Sequence, residues 1–365
     1  MTGKLVQENL KHRPMRSLLS ILLIGVPVTL ILSLVGLTKG MLEDSQQRQR
    51  GVGADIIIRG STASSVINFA GASIPQNVVN LVEKLPHVKL ATGVINHSID
   101  PPLVVTGVDI SEFTRMSGGF EYLKGGPIQH PGEILIDESF AKQRDAGIGS
   151  TIKLLNHDWR VAGIIGGGKL ARIVLPLKVL QELDESTGKV SQIYVKVDDA
   201  SAIGVVVKEI RELLPNYTVN TMEEWISAFK VSNIPGIREF TVVVIAIGVV
   251  IGFSVVCLSM YMAVLQRTRE IGILKSLGAS KGFILGIILA EAELLGVGGT
   301  ILGIVFSFGA YWLIRTLVPA SIPMIIVPGW WPIAGVITLI GTGLGALYPG
   351  LTAAAHDPIE ALAYE

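Results

Sequence analysis

Arg267-Thr268-Arg269-Glu270-Ile271-Gly272-Ile273-Leu274-Lys275-Ser276-Leu277-Gly278-Ala279-Ser280-Lys281 is a basic, amphipathic segment caught between two apolar runs. Before it, Phe240 to Leu265 carries no charge over 26 residues; after it, Phe283 to Ile314 is interrupted only by Glu291 and Glu293. A spanning helix needs about 20 apolar residues, so the segment joins two of them. Working outward, Ser17 to Thr38 is uncharged for 22 residues, and so is the stretch from Ile325 to Tyr348. Composition agrees: 49% of residues are hydrophobic and 16% charged, with a mean hydropathy of +0.55, whereas about 25% of residues are charged in soluble domains. The predicted fold is an α-helical membrane protein with four transmembrane helices and a mixed α+β domain inserted between helices one and two. The expected boundaries are an amphipathic N-terminal segment 1–16, helix one 17–38, the inserted domain 39–238, helix two 239–265, a connecting loop 266–281, helix three 282–314, an outer loop 315–324, helix four 325–348 and a tail 349–365. The first run has a basic start, Lys11 to Arg16, but it is too long for a cleaved signal and no small-x-small site follows it. It reads as an uncleaved anchor.

Basic residues near helix ends set orientation. Lys4, Lys11, Arg13 and Arg16 precede helix one, and Arg267, Arg269, Lys275 and Lys281 lie in the loop after helix two, whereas the loop after helix three has only Arg315. The N-terminus, loop 266–281 and the C-terminus are therefore predicted to be cytoplasmic and residues 39–238 extracytoplasmic. Tyr311-Trp312 and Trp330-Trp331 would then share the outer interface, where such rings settle.

The inserted domain alternates strand-like runs (54–59, 103–108, 133–136, 151–155, 160–165, 192–197) with helical ones (77–84, 138–144, 177–183, 202–214, 222–230). Its 19 Lys and Arg against 22 Asp and Glu between Gly40 and Gly236 exclude a nucleic-acid surface. The single cysteine, Cys257, lies in helix two, so the domain holds together by burial. Gly163 to Lys169 fits the first seven positions of a phosphate loop, but Leu170 stands where Ser or Thr must bind magnesium; it reads as a glycine-rich turn. His97 with Asp100, and His130 with Glu133 and Asp137, match no metal spacing and read as solvated surface residues. With no nucleophile elbow either, no catalytic residue, metal or bound cofactor is predicted.

In the membrane part, Gly248/Gly252, Gly282/Gly286, Gly299/Gly303 and Gly341/Gly345 place small residues on one helix face and together predict close helix packing. Glu291 and Glu293 need pairing, protonation or water at that depth. A proton relay is the sharp reading; the plain one is that they face the bundle or a subunit interface and bond to a hydroxyl. In the opening segment Ile271, Leu274 and Leu277 make an apolar stripe, Arg267, Arg269, Glu270 and Lys275 supply charge, Gly278 suits a left-handed C-terminal cap and Ser280 can cap helix three. Membrane lipid is one reader such a helix can have.

The run from Arg267 to Gly286 with Leu289-Ala290-Glu291-Ala292-Glu293-Leu294-Leu295-Gly296, and the ending Asp357-Pro358-Ile359-Glu360-Ala361-Leu362, resemble the permease core of MacB, LolC/LolE and FtsX-type ABC transporters. The inserted domain resembles the MacB periplasmic core through Gly107-Val108-Asp109 and the 149–163 strands. The resemblance implies a permease in a bacterial cytoplasmic (inner) membrane, partnered by an ABC ATPase subunit that uses ATP and Mg, and by a second permease copy or paralogue. It leaves room for a periplasmic adaptor or an outer-membrane channel. It also implies that Arg267, Arg269, Glu270, Ile271, Leu274, Lys275, Leu277 and Gly278 couple the permease to that ATPase. Two functions follow from it: export or extraction of a lipophilic, peptide or lipoprotein substrate, or FtsX-like mechanical activation of a partner such as a cell-wall hydrolase. The tail departs from the family at Ala353-Ala354-Ala355-His356, where basic residues are common.

Overall fold

The computed structural model describes residues 14–60, 74–100, 103–228, 236–317 and 323–355; the segment before Pro14 and the ending Asp357 to Leu362 lie outside them. The described residues divide into two compact units, one built on the apolar helices and one beginning at Lys39.

Among the described residues, four helices are long and apolar enough to cross a membrane. Helix α1 runs from Pro14 to Arg50 and so continues beyond the expected end at Thr38. The reason is local: Lys39 to Arg50 holds no proline, and its only glycine, Gly40, is followed by good helix formers. In the inserted domain follow β1 (Ile56–Gly60), β2 (Ile74–Pro75), α2 (Asn77–Glu83), β3 (Val88–Asp100), β4 (Leu103–Val108), α3 (Ile110–Ser117), β5 (Tyr122–Gly125), β6 (Glu133–Asp137), α4 (Glu138–Arg144), β7 (Thr151–Leu154), β8 (His157–Ile165), β9 (Ile173–Pro176), α5 (Leu177–Leu183), β10 (Lys189–Val190), β11 (Gln192–Val197), α6 (Ile203–Leu213), β12 (Tyr217–Thr221) and α7 (Met222–Ala228). The other unit adds α8 (Ile237–Gln266), α9 (Thr268–Ser276), α10 (Lys281–Leu317) and α11 (Trp331–Ala355). A single 3₁₀ turn, Pro328–Trp330, leads into α11, which therefore starts later than the expected 325.

Ten strands form a mixed sheet in the order β12-β1-β11-β3-β4-β9-β6-β8-β5, with β7 on β8, and β2 pairs with β10 in a separate two-stranded sheet. Among the described residues, only β4/β9 and β6/β8 pair in parallel. Ile56, Ile58, Val105, Ile134, Ile136 and Val195 bury one face in the main core. The opposite face is buried as well: Ile57 and Tyr194 are fully enclosed, and Thr92 donates to Glu112 of α3 at 2.9 Å. An aspartate caps the helix after each of two strands: Asp109, just past β4, accepts from Ser111 and Glu112, and Asp137, the last residue of β6, accepts from Phe140. Gly107 is dictated by packing, since a methyl there would lie 2.7 Å from Ile95 Cγ2.

The phosphate-loop look-alike is not one. Gly163 lies inside β8, a strand rather than a helix follows at β9, and Lys169 Nζ donates to the Ser117 and Gly119 carbonyls. His97 is bound to Asp184 at 2.8 Å rather than simply solvated. Asp137 corrects the expectation of a surface residue: it is buried, 1% exposed, and paired with Arg48.

In the helical unit the four glycine pairs are unequal. A methyl on Gly303 would come 2.6 Å from Val28 Cβ and 2.9 Å from the Gly25 carbonyl, and one on Gly345 2.7 Å from the Phe253 carbonyl. Gly282 and Gly286 face open space, so that pair packs no helix of this chain. Ser20 and Ser259 share a hydrogen bond of 2.7 Å between α1 and α8.

Candidate functional site

The opening segment folds as α9. Helix α8 ends at Gln266 because Arg267 leaves helical geometry at φ −118°, and Thr268 starts the next helix. Glu270 in its first turn and Lys275 in its last complement the helix dipole. At its end Gly278 takes φ +92°, its N–H reaches the Lys275 carbonyl, and the N–H of Ala279 reaches the Leu274 carbonyl, both at 3.0 Å. Ser280 Oγ then accepts from Phe283 and caps α10.

The helix has two faces. Ile271 packs on the cluster formed by Val256, Met260, Val264, Ile284 and Ile288, and Leu274 is half-buried. Arg269, Glu270, Ile273, Leu277 and Gly278 are exposed, Leu277 to 80%. Seven of the eight expected residues thus divide into an inner set (Arg267, Ile271, Leu274, Lys275) and an outer set (Arg269, Glu270, Leu277), with Gly278 as the stop.

Glu291 overturns the expectation of a hydroxyl partner. Its Oε2 lies 3.1 Å from Arg267 Nη1, with the two side chains 8% and 15% exposed. The cation comes from the junction of α8 and α9, outside the apolar runs. Glu293 is half-buried and lies against α11, where a methyl on Gly343 would come 2.9 Å from its Oε1. Lys275 Nζ donates to the Ala354 carbonyl at 2.9 Å.

A second polar cluster was not expected. At the end of α1, Arg48 pairs with Asp44 at 3.0 Å and with Asp137 at 2.8 Å, Asp44 also receives Arg172 at 3.2 Å, and Gln49 accepts from Tyr194 at 3.1 Å. The signal was the i, i+4 spacing of Asp44 and Arg48 in a continuing helix. Burial, with Arg48 alongside, pulls the Arg172 guanidinium below its ordinary value against the opposing pull of Asp137 and Asp44. Burial pushes the Tyr194 hydroxyl well up, against the smaller opposing effect of Gln49. The unfolded tyrosine loses its proton near pH 10 and the folded one only above that, so the stability it contributes is whole below about pH 10 and declines above it. Between pH 9 and 11 the melting temperature of Tyr194→Phe should fall less steeply than that of the parent; equal slopes would count against this role.

No group of three or more metal-ligating side chains occurs among the described residues. Residues 17–213 match the family model for the MacB-like periplasmic core domain, and residues 242–358 match that for the FtsX-like permease C-terminal region. The chain belongs to the MacB/FtsX-type ABC transporter permeases. It is 32% identical to an uncharacterized ABC transporter permease of Methanocaldococcus jannaschii, over 60% of this chain and 58% of that one. It is 30% identical to the uncharacterized ABC transporter permease YknZ of Bacillus subtilis, over 67% of this chain and 64% of that one. Against the macrolide export ATP-binding/permease protein MacB of Chlorobium phaeobacteroides it is 26% identical, over 100% of this chain and 61% of that one. The chain therefore spans about three fifths of the length of these relatives. Four apolar helices and the inserted domain make this MacB/FtsX-type permease a multi-pass membrane protein.

Proposed function

We propose that this permease is driven by an ABC ATPase subunit that reads the exposed face of α9, and that the complex exports or extracts a lipophilic, peptide or lipoprotein substrate. The observation that carries the reading is the pairing of an exposed contact face, Arg269, Glu270, Ile273 and Leu277, with a spanning helix joined to α9 at each end. A short helix held in this way passes displacement into both neighbours. The basic residues of loop 266–281 support a cytoplasmic position for α9, the side on which ATP is available, in the inner membrane of a bacterium with both termini inside and residues 39–238 outside. The alignment of a named macrolide exporter over the whole chain supports export. ATP and Mg belong to the partner, and a second permease copy or paralogue completes the complex, with an adaptor or outer-membrane channel as a further partner.

Leu277→Asp tests the contact. The side chain is 80% exposed, so the permease should melt as the parent does, while the ATPase concentration giving half-maximal stimulated hydrolysis should rise about tenfold, the loss of about 1.4 kcal/mol of binding. Unchanged stimulation at limiting ATPase would sink the reading.

A further inference from the structure

We infer that Glu291 and Lys275 are positioning residues that brace α9 against α10 and α11, so that a displacement of α9 is delivered to three spanning helices together. The inference rests on α9 being the element an ATPase reads. Covalent connection alone ties α9 to the end of α8 and the start of α10. The side chains add two further ties at opposite ends of this short helix. Before its first residue, Arg267 reaches Glu291 one-third of the way along α10; at its last turn, Lys275 reaches the penultimate residue of α11, Ala354.

Each tie satisfies a group that would otherwise be costly. A buried carboxylate in an apolar helix demands a partner, and Arg267 is the cation the structure supplies. The residue four beyond Ala354 is Pro358, which has no N–H to give its carbonyl, and Lys275 gives one to Ala354, itself 4% exposed. Apolar contact is a poorer fastener here. A half-open pocket of about 110 Å³ lies between α8, α9 and α10, lined by apolar side chains such as Met260, Ile271 and Ile288 and by Arg267, Glu270 and Glu291. Apolar contact through Ile271 is non-directional, and beside this open pocket the two directional polar ties fix the position of α9. Neither touches the exposed face, so contact and bracing are carried by different residues.

The test uses the full permease reconstituted in lipid with its ATPase subunit, titrating the ATPase and recording half-saturating concentration, maximal ATP hydrolysis and melting temperature. Lys275→Met and Glu291→Gln are expected to lower the maximal rate about tenfold, within the usual range of coupling free energies, with the half-saturating concentration unchanged. Lys275→Arg, which keeps a cationic donor for the Ala354 carbonyl, should restore the rate. A merely structural role would instead lower the melting temperature and move both constants together. If Glu291→Gln does not fold, the Lys275 pair decides. A folded Lys275→Met with the parent's maximal rate overturns the bracing even if Leu277→Asp still weakens binding; loss of effect in Leu277→Asp as well overturns the coupling reading itself.

Discussion

Arg48→Met is expected to destabilise the inserted domain by about 3–5 kcal/mol, the usual cost of removing one partner from a buried ion pair. In a domain of about 200 residues that corresponds to a fall in melting temperature on the order of 10 °C. The cost comes from what is left behind. Asp137 is 1% exposed, and without Arg48 its Oδ2 loses the guanidinium at 2.8 Å while its Oδ1 stays committed to capping α4. Arg172 bonds to Asp44, not to Asp137. The double variant Arg48→Met, Asp137→Asn separates charge from packing, because asparagine keeps the cap acceptor and removes the orphaned charge. It should recover most of the loss in thermal unfolding of the full chain. A double variant no more stable than Arg48→Met would mean that the guanidinium acts through packing alone.

The spanning helices, the stop after α9 and the cap before α10 were legible because they depend on local features: long uncharged runs, Gly278 in the left-handed conformation, and Ser280 before an apolar run. Strands such as Glu133–Asp137 were legible for the same reason, with Ile134, Leu135 and Ile136 bounded by turn residues. β3 was not. Thr92 and Asn96 are buried, 0% and 7% exposed, because Glu112 and Thr106 satisfy them from elsewhere in the chain, and pattern reading cannot see distant partners. Asp137 failed identically: grouped with His130 and Glu133 it reads as a surface residue, while its partner Arg48 lies 89 positions away. The partner of Glu291 is not visible within the apolar runs, because the cation stands just outside one, at the junction the fold brings back against α10. The inner and outer faces of α9 were half legible: Leu277 shares the apolar stripe with Ile271 and Leu274, yet the helix ends at Ser276 and leaves it exposed.

The four glycine pairs show the same limit quantitatively, since sequence gives them equal standing and structure does not. Gly303→Leu is expected to disrupt the helical unit by about 3 kcal/mol or more, at the upper end of overpacking costs. Its first added carbon already meets Val28 Cβ at 2.6 Å and the Gly25 carbonyl at 2.9 Å, and neither can move without shifting the backbone of α1. The same crossing holds an interhelical hydrogen bond from Thr29 Oγ1 to the Gly303 carbonyl at 3.2 Å, which separation of the helices would break. Apolar attraction cannot compensate, because helices in lipid associate through close packing and polar contacts rather than through exclusion of water. Gly286→Leu is the control: nothing lies within 4 Å of a carbon added there, so the helical unit should melt as the parent does. Thermal unfolding in detergent, followed by protease susceptibility of α1 and α10, distinguishes the two. Equal losses in both variants would show that glycine is needed along α10 for its backbone rather than for the approach of α1.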